Sequence, residues 1–344
     1  MRVLVAMSGG VDSSVAAALV AEAGHQVVGA TMKLWGGPSD SGCCSVADVD
    51  DARRVAQQIG IAHHVFNFSA EFEHRVVGPY VDAHAAGTTP NPCVECNRHL
   101  KFDRLLERAA QLGFDAVATG HHARVRRSPA GWHLRRGADA AKDQSYVLHM
   151  LGQAELARVL MPVGDLAKAE VRARAAAAGL ATAAKPDSQD VCFVSRPQGR
   201  HGFVGARVPL HPGTLVERGG EEVGKVAAVE LVTVGQRRRL GARPGPRSSR
   251  RYVLSVDVAA ARVTMGTVDE LMVDRVEVGA MSWVSDPPAA GAHLLVQASA
   301  HGQPVPATWT GDGVRTAGPV RRVAPGQSVV LYSGDDVVGG GPAR

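Results

Sequence analysis

The residues near the amino terminus that are best suited to chemistry form a short glycine- and serine-rich segment. Residues 8–14 read SGGVDSS and follow the apolar run at residues 3–7. Adjacent glycines let backbone N–H groups approach an anion closely, the serine hydroxyls add donors, and a following helix would direct its N-terminal dipole at the anion. The segment lacks both the Gly-Lys-Ser/Thr ending of a Walker A loop and the three-glycine spacing of a dinucleotide loop. We therefore predict a phosphate site of another type.

Cysteines supply the second group of candidate residues. Five cysteines in a chain of 344 residues do not make a small disulfide scaffold, so each is structural, metal-binding or catalytic. Cys93 and Cys96 form a Cys-x-x-Cys pair, a pattern that also suits zinc or simple redox chemistry, and Cys192 lies in residues 185–193, KPDSQDVCF. Cys43 and Cys44 match no catalytic pattern, and we expect small packed or exposed side chains there.

These segments need a scaffold that brings them together. Four short apolar runs predict parallel strands buried on both faces: residues 3–7, 27–32, 65–68 and 116–119. Helical spacing of apolar or Ala residues predicts helices in three places: residues 52–59, 102–112 and 168–179, the last ending at a Gly cap. The alternation of strand and helix predicts an α/β domain with helices on both faces of a parallel sheet.

The second half of the chain has a different character. Gly and Pro become frequent after about residue 196, and short β-rich runs appear at residues 229–234, 294–298 and 328–332. We predict three domains: a catalytic α/β domain (1–195), a small, mostly β central domain (196–266) and a carboxy-terminal antiparallel β-barrel-like domain (267–344). Seven arginines lie within residues 237–251, where they could touch the phosphates of a polyanion.

The glycine-rich segment matches Ser-Gly-Gly-x-Asp-Ser. In this it resembles the PP-loop ATP pyrophosphatases, which cleave ATP between the α and β phosphates and adenylate a substrate. The resemblance implies that the loop grips pyrophosphate. Asp12 would then help to place Mg²⁺, because a carboxylate beside so much phosphate charge needs a cation between them.

Further motifs narrow the resemblance to the tRNA-specific 2-thiouridylases. Residues 88–97, TTPNPCVECN, and residues 187–193, DSQDVCF, are similar to the family's Thr-Pro-Asn-Pro-x-x-x-Cys-Asn and Asp-Ser-x-x-x-Cys-Phe. Other matching segments span nearly the whole chain: residues 32–35, 118–121, 142–146, 233–237 and 325–328.

The resemblance implies a role for each matching residue. Cys192 would carry a persulfide, Cys96 would be the nucleophile that helps to release its sulfur, and Asp12 would assist catalysis. ATP would bind along the loop and at two nearby strand ends, at Ala6, Met7, Ser8, Gly9, Gly10, Val11, Asp12, Ser13, Met32 and Gly120. The target base and tRNA would contact the remaining motif residues, which are Asn91, Pro92, Cys93, His121, Lys142, Asp143, Gln144 and Gln327.

The implied reaction is ATP-dependent 2-thiolation of the wobble uridine in tRNAs for Lys, Gln and Glu. Adenylation of the C2 carbonyl oxygen would supply a good leaving group, AMP, which sulfur then displaces. A second thiol liberates the sulfur and leaves a disulfide bond. The donor would be a persulfide carrier, either a cysteine desulfurase or a sulfur relay protein. An alternative stays open: Cys93, Cys96 and Cys192 could hold a 4Fe-4S cluster with one open iron that binds hydrosulfide.

Three positions depart from the family pattern. Cys93 stands where many relatives have Asp, residues 299–301 stand where some relatives present an Arg-Tyr pair to tRNA, and Arg239 stands where Gly is common. The basic stretch at residues 237–251 could compensate through phosphate contacts, which add affinity without reading bases.

Two rival classes fit only part of the sequence. An amide-forming ligase would need the phosphate loop but not the paired cysteines, and an RNA-binding or chaperone protein would have no use for an intact loop with Asp12. Apolar residues make up 45% of the chain, yet no apolar run approaches the roughly 18 residues of a membrane span. With no signal peptide, the chain is expected to be cytoplasmic and to make no membrane contact. The net charge of +5 is compatible with a polyanionic partner, which the resemblance implies is tRNA, and the chain is expected to act as a monomer.

Overall fold

The computed structural model of the chain describes residues 1–35, 45–187, 191–195, 197–238, 240–241 and 250–344. The predictions for Cys43, Cys44 and Arg239 lie outside these residues, as do those for most of the basic run at residues 237–251. None of the described helices has both the length and the apolar character that crossing a bilayer requires.

The amino-terminal half is built on a parallel sheet. Its strands are β1 (Arg2–Ala6), β2 (Gln26–Lys33), β3 (Ala62–Asn67), β4 (Ala116–Ala118) and β7 (Val159–Leu160). An antiparallel hairpin of β5 (Ala123–Ser128) and β6 (Gly131–Arg136) lies between β4 and β7 in the chain and is not part of this sheet. The sheet has the order β3-β2-β1-β4-β7, and each neighbouring pair is parallel. The predicted α/β fold is therefore confirmed. One detail is wrong: the edge strand β3 is not buried on both faces, because none of its residues is fully buried and Val65 is 41% exposed.

Helices cover both faces of this sheet. They are α1 (Val11–Glu22), α2 (Val46–Gln58), α3 (Ser69–Phe72), α4 (Gly78–Ala85), α5 (Pro92–Cys96), α6 (Leu105–Gln111), α7 (Gln153–Leu156), α8 (Lys168–Ala177) and α9 (Gly199–Gly205). π-helical segments at Glu73–Val77 and Asn97–Arg104 join α3 to α4 and α5 to α6. Successive β1 side chains point to opposite faces, so Leu4 enters one hydrophobic cluster while Val3 and Val5 enter another.

A small sheet follows in the middle of the chain. It comprises β8 (Gly213–Glu217), β9 (Glu222–Val226), β10 (Tyr252–Asp257) and β11 (Arg262–Gly266), in the order β10-β11-β8-β9. Val229–Leu231 forms a 3₁₀ turn, so the predicted β run at residues 229–234 is wrong at its start. Short apolar runs are ambiguous, because a turn can bury Val229 in the same small core that a strand would.

The carboxy-terminal part is an antiparallel sheet of the predicted barrel type. After the short helix α10 (Val268–Leu271), its strands are β12 (Met272–Glu277), β13 (Ser282–Trp283), β14 (His293–Gln297), β15 (Val305–Trp309), β16 (Gly313–Arg321), β17 (Ser328–Ser333) and β18 (Asp336–Pro342). The β5–β6 hairpin extends this sheet beyond β18, with Arg135 opposite Asp336. A hairpin from the amino-terminal half and the carboxy-terminal strands thereby form one sheet.

Candidate functional site

The glycine-rich loop connects the end of β1 to the start of α1, where the sequence predicts a phosphate site. Gly9 has a φ of +71°, and a Cβ on it would lie 2.2 Å from the carbonyl oxygen of Asp48 in α2. A Cβ on Gly120, just after β4, would lie 2.5 Å from the amide nitrogen of Ser13. Only glycine fits at these two positions. The turn that starts α1 therefore packs closely against α2 at Gly9 and against the end of β4 at Gly120. The first N–H groups of a helix lack internal partners and can bind an anion.

The three serines of the loop differ in their contacts and in their exposure to solvent. The Ser13 hydroxyl donates to the Gly10 carbonyl oxygen at 3.0 Å and accepts from the Ser8 amide at 3.1 Å. The Ser14 hydroxyl also donates to Gly10, at 2.9 Å, and accepts from Thr182; it is fully buried. Ser8 is exposed. Ser13 and Ser14 therefore hold the turn, and Ser8 is the hydroxyl available to a ligand.

Asp12 lies at the start of α1 between two nitrogen donors. Lys168 Nζ, from the first residue of α8, lies 2.7 Å from each carboxylate oxygen, and His122 Nε2 lies 3.1 Å from Oδ1. Burial alone would raise the pKa of the Asp12 carboxyl, but the hydrogen bonds from His122 and Lys168 outweigh it and hold this pKa below its ordinary value. The carboxylate is thus kept ionised beside the anion site.

Lys168 also reaches the segment that leads to Cys192. Its Nζ lies 3.0 Å from Asp187, which in turn lies 2.9 Å from Lys142 Nζ and 2.7 Å from an Arg172 nitrogen. Burial acts to raise the pKa of Asp187, but hydrogen bonds from Lys142 and Lys168 lower it to about 2. Alternating charges therefore run from the loop, through Lys168, to a position five residues before Cys192.

Cys93 and Cys96 lie on the short helix α5. The side chain of Asn91 caps this helix by accepting from the Cys93 amide at 3.2 Å, and Pro92 occupies its first turn. Cys93 is exposed, whereas Cys96 is 8% exposed and belongs to the main hydrophobic cluster. Residues three apart share a helix face. The two thiols therefore differ in solvent access although they share one side of the helix.

Cys192 lies in a segment anchored by its neighbour. Phe193 is 2% exposed, and its ring lies 5.2 Å from those of Tyr80 and Phe203, and 5.6 Å from that of Phe72. Cys192 is half-buried and packs against the same hydrophobic cluster that contains Cys96. Among the described residues, no three His, Cys, Asp or Glu side chains converge as ligands of one metal ion.

Comparison with known proteins identifies the family. The model of the tRNA methyl transferase HUP domain matches residues 1–196, and that of the aminomethyltransferase beta-barrel domain matches residues 273–343. The tRNA-specific 2-thiouridylase MnmA of Chloroflexus aggregans is 48% identical over 99% of this chain and 97% of its own length. The enzyme of the same name from Acidothermus cellulolyticus is 46% identical over 98% and 96%. The chain belongs to the tRNA-specific 2-thiouridylases.

Solved structures resemble this thiouridylase over a smaller part of its length. The U34-tRNA thiolase NcsA from Methanococcus maripaludis, with its [4Fe-4S] cluster, has a TM-score of 0.38 and 18% identity, and the match covers 56% of this chain and 61% of that one. A 4-thiouridine synthetase in complex with RNA and ATP has a TM-score of 0.36 and 19% identity over 56% and 44%.

Several residues that the sequence assigns to tRNA binding make internal contacts in this thiouridylase. The Asp143 side chain is 6% exposed and accepts from Arg136, from the Gly137 amide and from Ser145. The Gln144 side chain accepts from the His122 amide at 2.9 Å. Lys142 is exposed, although its ammonium group is bonded to Asp187. A direct tRNA contact stays a prediction for all three.

His121 is deeply buried just after β4. Its Nδ1 lies 2.8 Å from the Thr119 hydroxyl, and its Nε2 lies 3.5 Å from Lys101 Nζ. Burial, helped by the nearby Lys101 charge, lowers the pKa of His121 well below its ordinary value, so the ring is neutral at physiological pH. In this structure the His121 ring contacts Thr119 and Lys101, and a direct tRNA contact stays a prediction for His121 as well.

Sequence reasoning missed Lys168, Arg172 and His122 as members of the site. The available signal was positional: Lys168 is the first residue of the helix that follows β7 in the chain, and Arg172 follows one turn later on the same face. Their link to Asp12 and Asp187 depends on contacts between distant parts of the chain, which local patterns do not report.

Proposed function

We infer that this chain uses ATP to replace the C2 carbonyl oxygen of a tRNA uridine with sulfur. The observation that carries the inference is the position of Lys168 between Asp12 in the phosphate loop and Asp187 in the segment that leads to Cys192. A two-step reaction in which ATP prepares the carbonyl and sulfur then displaces AMP needs both sites close together. Lys168 connects the loop to Asp187, five residues before Cys192 in the sequence, and membership of the thiouridylase family supports the same reaction.

ATP fits the loop through its phosphates. The start of α1 and the Ser8 hydroxyl offer donors, while Asp12 offers one ionised carboxylate that could hold Mg²⁺. A single protein carboxylate suits Mg²⁺, which keeps several waters and takes phosphate oxygens as further ligands. When bound, the ion would neutralise phosphate charge. Lys168 supplies a protein cation at the same place.

The sulfur chemistry is assigned to the two buried or half-buried thiols. The uridine O2 attacks the α-phosphorus of ATP and pyrophosphate leaves. The terminal sulfur of a Cys192 persulfide then attacks C2, and AMP leaves. The base is then joined to Cys192 through a sulfur–sulfur bond. The Cys96 thiolate finally attacks the Cys192 sulfur, which breaks this bond, leaves the transferred sulfur on C2 and forms a Cys96–Cys192 disulfide. A later reduction must restore both thiols before the next cycle.

A 4Fe-4S cluster is the alternative use of Cys93, Cys96 and Cys192. It would need three thiolates, each on a different iron of the cluster, whereas the described residues hold no group of three side chains arranged around a single metal ion. Persulfide transfer needs only two thiols that can meet, so we favour it.

The substrate and setting follow from the same proposal. We propose the wobble uridine of tRNAs for Lys, Gln and Glu as the target, a cysteine desulfurase or sulfur relay protein as the donor, and a cytoplasmic monomer as the working form. The catalytic, central and carboxy-terminal domains would span residues 1–195, 196–266 and 267–344. The net charge of +5 favours a polyanionic partner.

Single-turnover thiolation of unmodified tRNA tests this proposal. The wild-type protein would be compared with Cys192→Ser, Cys96→Ser and Cys93→Ser, using ATP, Mg²⁺ and a persulfide donor, with bound iron measured in parallel. Loss of thiolation in the first two variants, with activity kept in Cys93→Ser, is the expected result. If Cys93→Ser also abolishes thiolation and removes bound iron, the cluster replaces the persulfide.

A further inference from the structure

Thr89, in the amino-terminal part of the molecule, is hydrogen-bonded to both of the other parts. Its amide donates to the Pro325 carbonyl oxygen at 2.8 Å, and its own carbonyl oxygen accepts from Gln327 Nε2, also at 2.8 Å. Its hydroxyl donates to the Thr233 hydroxyl at 3.4 Å. Both backbone polar groups of one residue are thus taken by a single short loop, residues 325–327, that precedes β17.

That loop is itself fixed to the antiparallel sheet. The Gly326 amide donates to the Ala343 carbonyl oxygen at 3.0 Å, and the Ala343 amide donates to the Gln327 carbonyl oxygen at 2.8 Å. Gly326 has a φ of +88°, and a Cβ there would lie 3.1 Å from the Thr89 carbonyl oxygen. The loop can therefore approach Thr89 closely, and its position follows that of the sheet.

The path from Thr89 to the catalytic helix is short and stiff. Pro90 and Pro92 restrict their own φ angles and the conformations of the residues before them. Asn91, between them, caps α5 through the Cys93 amide, and Cys96 is the last residue of that helix. A displacement of Thr89 is therefore transmitted to both cysteines instead of being absorbed by a flexible linker.

We propose that Gln327, in the carboxy-terminal domain, is a positioning residue. By donating a hydrogen bond to the Thr89 carbonyl oxygen, Gln327 fixes the position of Cys96. This proposal rests on the proposed function, and it assigns Gln327 a role in the chemical step instead of in tRNA affinity. The Gln327 side chain is half-buried, and its amide nitrogen donates to the Thr89 carbonyl oxygen. Thr233 holds the same residue from the central domain, through a longer and weaker bond.

Gln327→Leu keeps the length of the side chain but removes the amide. Loss of this half-buried hydrogen bond to a catalytic segment predicts a single-turnover thiolation rate, at saturating tRNA, about tenfold lower. The dissociation constant for tRNA should stay within about twofold of wild type, since a bond that is internal to the protein carries no affinity. Gln303→Leu, at an exposed glutamine of the same domain, is the matched control and should leave both quantities unchanged.

A second readout needs neither ATP nor tRNA. The alkylation rate of Cys96, followed by mass spectrometry of its peptide, should change at least about threefold in Gln327→Leu and not in Gln303→Leu, because the thiol is displaced. Thr233→Ala should shift it in the same direction by a smaller factor. Thermal unfolding of each variant verifies that it is folded. If Gln327→Leu does not fold, Thr233→Ala is used in its place to test the proposal.

The outcomes distinguish a failure of the Gln327 proposal from a failure of the proposed function. Weaker tRNA binding in Gln327→Leu, with an unchanged rate at saturation and unchanged Cys96 alkylation, would make Gln327 a tRNA contact and overturn the proposal. If the wild-type protein forms no 2-thiouridine, the proposed function fails; the alkylation rates still decide whether Gln327 positions Cys96.

Discussion

At the scale of single residues, the site is organised by the charges around Asp12. The sequence indicates Asp12, Ser8 and the glycines, because loop composition and order along the chain are local properties. It does not indicate Lys168, which lies 156 residues away and bonds to both Asp12 oxygens. Nor does it show that Asp143 and Gln144 serve internal hydrogen bonds, because a motif gives residue types without their partners.

Replacing Lys168 with Met should weaken binding of Mg²⁺-ATP by roughly ten- to a hundredfold in the absence of tRNA. The variant removes a cation from the phosphate site and leaves the Asp12 carboxylate to repel the phosphates. Titration calorimetry measures the effect. Lys142→Met is the control, because Lys142 bonds to Asp187 but not to Asp12; equal affinities in the two variants would contradict the role given to Lys168.

The ionisation of Asp187 should make stability depend on pH in the acid range. Its pKa is lowered from 3.8 to about 2, so the stability that it contributes is fully present above 3.8 and is lost as the pH falls towards 2. The gap in urea midpoint between wild type and Asp187→Asn should therefore be larger at pH 5 than at pH 2.5. A gap that is constant across this range would refute the assignment.

At the scale of elements, the positions of the cysteines depend on how two segments are anchored. Strand and helix periodicity predicts β1, β2, β4, α2 and α8 well, because each buries a regular stripe. The edge position of β3 was not predicted, since pairing on one side leaves no mark in an apolar run. The aromatic setting of Phe193 was also missed: its partners Phe72, Tyr80 and Phe203 come from separate helices.

Phe193→Ala should lower the free energy of unfolding by about 3 kcal/mol, because it removes a fully packed ring and leaves a cavity. Phe66→Ala, on the edge strand β3, is the control and should cost about 1 kcal/mol, since that ring is only half-buried. Urea denaturation measures both. Similar losses in the two variants would show that Phe193 does not anchor the Cys192 segment in the manner described.

At the scale of the whole molecule, the amino- and carboxy-terminal parts share one core. The β5–β6 hairpin adds to the carboxy-terminal sheet, and the Tyr146 hydroxyl donates to the Ser328 carbonyl oxygen at 2.7 Å. Leu134 and Tyr332 lie in one hydrophobic cluster. The sequence predicts the three-part division, but not this pairing, because the partner strand lies about 200 residues away and either edge could pair elsewhere.

A fragment of residues 1–266 should therefore show no single cooperative unfolding transition of the kind expected for the full chain. Its truncation would expose the edge of β6 and open the cluster around Leu134, which favours aggregation. Calorimetry of the fragment beside the full chain provides the measurement. A cooperative transition at the full-length midpoint would show that the two parts are independent.

The most direct test of the central claim is the stoichiometry of one turnover. Enzyme loaded with a persulfide is mixed with ATP and unmodified tRNA, and AMP and 2-thiouridine are counted in the same samples. Formation of both in equal amounts, with no AMP when tRNA is omitted, is the predicted result. AMP without 2-thiouridine, or 2-thiouridine without ATP, would contradict the coupling of the phosphate loop to the sulfur-bearing segment.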